Sequence, residues 1–230
     1  MNSLEQQESL LIGSAEAIGE LAQKDESLIL VISDSHGAGS MLRYILYEWG
    51  EQCDAFVFCG DGTGDVCGIL TASLEDAALS RALPPVIALV QGNNDAARYS
   101  IANPAQDPGT PFVQLKVPIR QMLTASGHSM FITHGHRFSL YDGTLYLAHE
   151  AMSQGAGMVL YGHTHIALAE CSTGLLTLNP GSCAIPRGGL PPSFMTLRLR
   201  KGSAYQDYTF YRITGAKSVP FNPEPRRFYF

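Results

Sequence analysis

Short apolar runs that end in aspartate, asparagine or histidine constrain this chain more than any other feature. LILVIS (28–33) runs into Asp34-Ser35-His36, AFVFC (55–59) into Gly60-Asp61, and VIALV (86–90) into Gln91-Gly92-Asn93-Asn94-Asp95. Further on, SMFIT (129–133) leads to His134-Gly135-His136 and GMVLY (157–161) to Gly162-His163-Thr164-His165. Apolar runs of this length bounded by glycine read as buried strands. Helical patterns lie between them, in MLRYILYEWG (41–50) and across 65–80. Strands alternating with helices predict an α/β domain with a mainly parallel centre.

The second half changes character. FVQLKVPIRQMLTA (112–125), LLTLN (175–179), SFMTLRLR (193–200) and AYQDYTFYRI (204–213) read as strands, with one helix near 143–153. The Ser126-Gly127-His128 turn points to antiparallel hairpins in this half. Ahead of the first strand, residues 3–23 carry Leu4, Leu10, Leu11, Ile18 and Leu21 at broadly helical spacing. They predict an amphipathic helix packed on the domain or on a second subunit. The expected division is a helical extension over 1–27 and one domain over 28–230. The last ten residues, FNPEPRRFYF, read as a docked tail.

Several function classes drop out on composition. No apolar run approaches the roughly 18 residues that a membrane helix needs. The first residues are acidic and amide-bearing where a secretion signal is basic and apolar, so the chain is expected in the cytoplasm. Fifteen basic against 21 acidic side chains give a net charge of −6. The basic stretches Arg198/Arg200/Lys201 and Arg226/Arg227 are short, which argues against binding a nucleic-acid polymer. Five cysteines without a C-x-x-C pair read as small buried hydrophobes, giving neither a disulfide framework nor a thiolate zinc site. Gly60, Gly62 and Gly64 follow a strand, but Asp65 breaks the G-x-G-x-x-G pattern of a dinucleotide loop.

The strand ends carry the chemistry. Of seven histidines, five (36, 134, 136, 163 and 165) lie there; His128 and His149 read as ordinary surface or turn residues. Residues i and i+2 of extended chain face one side, so Asp34 and His36 can converge on one ion. Glycines 60, 92, 135 and 162 are expected to release the chain from strand geometry and let the turns pack closely. Asp34 and Asp61, drawn together with several imidazoles in a poorly solvated cleft, would repel or protonate unless a cation compensated them.

The ordered set D-S-H, G-D-G-T-G-D, G-N-N-D, H-G-H and G-H-T-H resembles the calcineurin-like metallophosphoesterases. Its compact forms are most similar to the small bacterial YfcE-type phosphodiesterases. The Asn179-Pro180-Gly181-Ser182 turn resembles a further family element, so the likeness spans about 34–200. It implies an α/β sandwich of two mixed β-sheets packed face to face and flanked by helices. It also implies two divalent ions, the first held by Asp34, His36, Asp61 and His165. The second would be held by Asp61, Asn93, His134 and His163, with Asp61 bridging. Such donors suit manganese, with iron, zinc, cobalt or nickel as alternatives.

The activity implied is metal-assisted hydrolysis of a small phosphate ester, a diester before a monoester, by water shared between the ions. His136 would contact the phosphate, orient a ligand or donate a proton, or else only hydrogen-bond to a ligand residue; with Asn94 it is a candidate substrate-binding residue. Asn94 stands where many relatives place a histidine or cysteine near the leaving group, and an amide is no general acid. That favours activated or cyclic diesters. Asp95 is expected to cap the next helix. The alternative is a non-catalytic, protein-binding scaffold of the same fold, as in the retromer subunit of the superfamily, which lacks several of these histidines. Loops 96–112 and 183–192 are expected to shape the cleft.

Overall fold

The computed structural model describes residues 2–105, 107, 109–140, 143–172, 174–204, 206–215 and 217–224. Its centre is a six-stranded sheet in which the three early apolar runs lie side by side. These are β1 (Glu26–Ile32), β2 (Ala55–Phe58) and β3 (Val86–Leu89), paired in parallel with Ile29 opposite Ala55 and Ala55 opposite Val86. The helices α2 (Gly39–Trp49), α3 (Thr63–Ala72) and α4 (Ala77–Ala82) make the connections. On the other side of β1, β11 (Ser193–Arg200), β12 (Asp207–Ile213) and β13 (Ser218–Phe221) add antiparallel strands.

The second sheet has the order β6 (Arg120–Ala125), β7 (His128–Thr133), β8 (Met158–Leu160), β10 (Leu175–Pro180) and β9 (Ala167–Ser172). Its outer pairs are antiparallel and β7, β8 and β10 run parallel, so the expected hairpins are present at β6–β7 and β9–β10, as well as at β11–β12 and β12–β13 of the first sheet, around a parallel centre. The β6–β7 hairpin is where the turn residues required it. Ser126 and Gly127 both have positive φ, 49° and 76°, as a tight two-residue loop needs. A two-stranded ribbon of β4 (Arg98–Ala102) and β5 (Phe112–Lys116) stands apart.

Period-2 alternation sorts the side chains into layers. Ile29, Val31, Ala55, Val57 and Ala88 face inward and meet Met130, Ile132, Met158 and Leu160 of the second sheet. Leu30, Ile32, Phe56, Phe58 and Ile87 face outward beneath α2, α3 and α4. The outer side of the second sheet is covered by α5 (Leu145–Ser153) through Leu147, Ala148 and Ala151. Both sheets are mixed, they pack face to face, and helices cover both outer faces, as the family likeness implied. Each fully buried Leu, Ile or Phe contributes on the order of 1.5–3 kcal/mol, so three such layers form a substantial apolar interior.

Several local expectations change. The helix expected over 3–23 is only α1 (Ala15–Gln23), capped by the Ser14 side chain accepting from Ala17 N. Before it, Leu4, Leu10 and Gly13 take positive φ, and Ile12 pairs antiparallel with Ile87 at the edge of β3. The run 112–125 is two strands in different sheets, β5 and β6, separated at Pro118, whose missing N–H cannot join a ladder. The short β4, β9 and β13 were not expected. The helix expected across 65–80 is two, α3 and α4, the second capped by Asp76. The cysteine reading holds for Cys53, Cys59, Cys67 and Cys183, whereas Cys171 is exposed. Most of the proposed tail, 225–230, lies outside the described residues.

Candidate metal centre

The C-terminal ends of β1, β2, β3, β7 and β8 open on one edge of the sandwich and bring most of the sequence-selected residues together. Asp34, His36 and His165 form one group and Asp34, Asp61 and His134 another, with the ligand atoms in each within 4.8 Å of one another. His165 Nε2 lies 3.2 Å from both His36 Nε2 and Asp34 Oδ1. His134 Nε2 lies 3.4 Å from Asp61 Oδ2 and 3.2 Å from Asn93 Oδ1. His163 stands at the side of these groups, its ring centroid 5.0 Å from that of His134. Its backbone N–H donates to Asp34 Oδ2.

The backbone is strained at the same places. Eight non-glycine residues have positive φ among the described residues, and five of them are Asp34, His36, Asp61, His163 and His165. Left-handed backbone costs a non-glycine residue on the order of 1–3 kcal/mol and clusters at functional sites. It turns each side chain from its strand end toward the shared centre. Gly60 and Gly135 do take positive φ as expected. Gly92 and Gly162 are needed for another reason, space: a Cβ on Gly92 would stand 2.0 Å from Asp61 Oδ1, and one on Gly162 2.0 Å from Ser33 Oγ.

The hydrogen bonds leave an inward-facing set of electron pairs. His134 Nδ1 donates to Cys59 O at 2.7 Å and His165 Nδ1 to Ile185 O at 2.8 Å. With Nδ1 donating to a carbonyl, each ring aims Nε2 at the carboxylates, the arrangement typical of metal-ligating histidine. Asp34 Oδ2 accepts from Ser33 Oγ and His163 N, while the fully buried Oδ1 has no hydrogen-bond donor. A buried carboxylate oxygen surrounded by imidazole lone pairs is costly unless a proton or a cation sits among them. The donor set is oxygen and nitrogen only. The neighbouring Cys59 and Cys183 thiols are pushed up by burial and by the Asp34 charge, so they remain protonated. These residues fit divalent metal ions.

Titration follows the same contacts. Burial drives the Asp34 carboxyl up, but the His165 and His36 imidazoles outweigh it and hold it low. For Asp61 burial again opposes, and His134 with the Asn94 backbone amide holds the carboxyl well below the usual range. His36 is raised by Asp34; His134 is raised because Asp61 and Asp34 outweigh its burial. Burial, with His134 nearby, lowers both His136 and His163. His136 is half-buried at the rim, its Nδ1 buried without a partner.

Asn94 donates twice to Asp61, from its backbone N to Oδ1 at 2.8 Å and from Nδ2 to Oδ2 at 2.7 Å. Asp95 is followed by a strand, so it caps no following helix; it accepts instead from Gly62 N and Thr63 N at the start of α3. Sequence reasoning missed several supports. Asp65 accepts from Ser35 Oγ and Gly37 N, Ser182 Oγ donates to Asp34 O, and buried Asn179 donates to Gly162 O and Thr164 Oγ1. Asp65 and Asn179 stood inside quoted motifs, and that was the available signal. His128 meets the Arg200 carbonyl and is structural.

A cleft of about 340 Å³ adjoins the cluster, lined by His36, Gly64, Asp65, Asn94 and Tyr99. Larger grooves of about 840 and 480 Å³ lie elsewhere, away from the histidine and aspartate cluster. The stretch 96–112 reaches the site through Tyr99, which lies on β4 and not in a loop, and 183–192 through the Ile185 carbonyl. No helix among the described residues is long and apolar enough to cross a membrane.

The family model described as the calcineurin-like phosphoesterase superfamily domain matches residues 28–202. The probable metallophosphoesterase YsnB of Bacillus subtilis is 31% identical over 176 residues, covering 76% of this chain and 86% of YsnB. Phosphodiesterase YfcE of Escherichia coli is 38% identical over 80 residues, 35% of this chain and 39% of YfcE. Among solved structures, a predicted phosphoesterase from Streptococcus pneumoniae superposes with a TM-score of 0.59 at 24% identity, covering 86% of this chain and 98% of that one. Vacuolar protein sorting 29 of Cryptosporidium parvum gives 0.61 at 21%, covering 86% and 97%. Those two likenesses establish the fold; the family match and YsnB go further. This chain belongs to the calcineurin-like phosphoesterase superfamily.

Proposed function

We propose that the chain hydrolyses small phosphodiesters at a pair of divalent cations, manganese foremost. The observation that carries this reading is the unpartnered Asp34 Oδ1, buried among the imidazoles of His36, His134 and His165. Asp34, His36, Asp61 and His165 would hold one cation; Asp61, Asn93, His134 and His163 would hold the other. Bound there, such ions supply Lewis acidity toward a phosphoryl oxygen and bring the ionisation of water close to neutral pH.

The chain's own groups do the rest. Two carboxylates against two dications leave about +2 of local charge, which draws a phosphate despite the acidic protein. His136, kept neutral by burial, offers a ring nitrogen at the rim for a phosphoryl oxygen. Asn94 holds the Asp61 carboxylate and has no proton to lend a departing alkoxide. Esters whose alcohol leaves without protonation, aryl or cyclic diesters, are therefore the expected substrates. The name of YfcE supports the diester preference. A scaffold role remains the competing reading because Vps29 shares the fold, but the complete ligand set in this chain favours chemistry.

Hydrolysis of bis-p-nitrophenyl phosphate and of p-nitrophenyl phosphate, with Mn²⁺, Co²⁺, Ni²⁺ or Zn²⁺ and with a chelator, tests the proposal. Faster turnover of the diester, lost on chelation, is expected. No turnover of either ester with any of these ions would overturn it in favour of the scaffold.

A further inference from the structure

We infer that Asp95 is a positioning residue that ties the turn after β2 to the turn after β3 and so governs the second of the two proposed cation positions. The inference rests on the two-cation reading. One carboxylate takes donors from both turns. Its Oδ1 accepts from Gly62 N at 3.0 Å and Thr63 N at 2.9 Å. Its Oδ2 accepts from Asp61 N at 2.7 Å, Gly92 N at 2.9 Å and Thr63 Oγ1 at 2.9 Å. Three successive backbone N–H groups from 61 to 63, closed by Gly92 N, form an anion nest filled by a side chain of the protein itself. Ionised acceptors make such hydrogen bonds roughly twice as strong as neutral ones.

The consequence falls on Asp61. Its backbone is left-handed, φ 57°, with the N–H turned onto Asp95. Its side chain is held by the amides of Asn94, the residue before Asp95. The two turns touch so closely that Gly92 has no room for a Cβ beside Asp61 Oδ1. Asp95 thus sets where Asp61 stands relative to Asn93, and these two residues belong together only in the second ligand set. Asp61 is common to both sets, but other members of the first are anchored elsewhere: Asp34 by Ser33 Oγ and His163 N, and His165 by the Ile185 carbonyl. A plain helix cap would engage only the first N–H groups of α3. Asp61 N and Gly92 N lie outside that helix.

Titration of the chelated protein with Mn²⁺, read by electron paramagnetic resonance and calorimetry, tests this without recourse to activity. The wild type should bind two ions and show the signal of a spin-coupled pair. In Asp95→Asn one acceptor becomes an NH2 group facing backbone N–H donors. The second ion should then bind more than about tenfold more weakly, the paired signal should fade, and the first ion should change by less than about threefold. Thr63→Val removes a single donor to Asp95 and should weaken the second ion by only about two- to threefold. It keeps the test alive should Asp95→Asn fail to fold. Asp76→Ala, which removes an ordinary cap on α4, should lower stability and leave both ions alone. Equal weakening of both ions in the Asp95 and Thr63 variants, or none, overturns the inference while the paired site stands. A wild-type stoichiometry of one overturns the two-cation reading and this inference with it.

Discussion

At the scale of single residues, the glycines show how finely the site is fitted. Gly162 precedes His163 and lies against the aspartate end of β1. A Cβ there would stand 2.0 Å from Ser33 Oγ and 2.8 Å from Asp34 Oδ2. Neither atom has anywhere to go, since Ser33 and Asp34 are fully buried and bonded to each other. Gly162→Ala is therefore expected to lower stability by about 1–3 kcal/mol, the usual cost of overpacking, and to weaken metal binding with it. Urea unfolding and Mn²⁺ titration of the variant measure both; a variant matching the wild type in both would contradict the packing argument. The proposed ligand residues were legible as a group because each follows a strand and each is a donor type with little other reason to cluster. The supporting bonds of Asp95 to 61–63 and of Ser182 were not, because they reach partners 32 or more residues away.

At the scale of elements, β1, β2, β3, β7 and β8 were read from sequence because continuous apolar runs leave few alternatives. The failures have physical causes. Helical spacing of leucines over 3–23 was real, but Gly13 has φ of 143° and its Cβ would meet Pro85 O at 2.4 Å, so the chain folds back before α1 begins. ALAECS in β9 has little intrinsic strand preference and is held by its ladder to β10. The segment before α1 does structural work. Ile12, 1% exposed, exchanges both backbone hydrogen bonds with Ile87 and covers the edge of β3, which would otherwise be open to another strand. Asn2 Nδ2 donates to the carbonyls of Pro84 and Pro85 from the same side. Ile12→Ala should cost about 2–4 kcal/mol, read as a lower urea midpoint with an unchanged slope. A loss below 0.5 kcal/mol, on the order of a surface substitution, would mean that this segment is not part of the core.

At the scale of the whole molecule, the three apolar layers form without any contribution from a metal ion, so chelation should lower the melting temperature and leave the protein folded at room temperature. The size of that drop should depend on pH, and the sign follows from the site. In the ion-free protein His36 and His134 have raised values. Their stabilisation is complete below the ordinary histidine value of about 6.5 and is lost as pH rises through the raised folded values. Asp34 and Asp61 have lowered values, so their share is present above about 3.9 and lost only as pH falls through the depressed folded values. These four groups thus favour the ion-free protein most between about pH 4 and 6.5 and less above it, whereas His136 and His163, lowered by burial, act in the opposite sense as pH falls. Metal binding runs the other way, since imidazoles must lose their protons to ligate. Melting temperatures with Mn²⁺ and with chelator should lie close together near about pH 5.5 and separate steadily toward about pH 8. A separation that is constant across that range would show that the imidazoles do not exchange protons for metal, and would remove them from the ligand set.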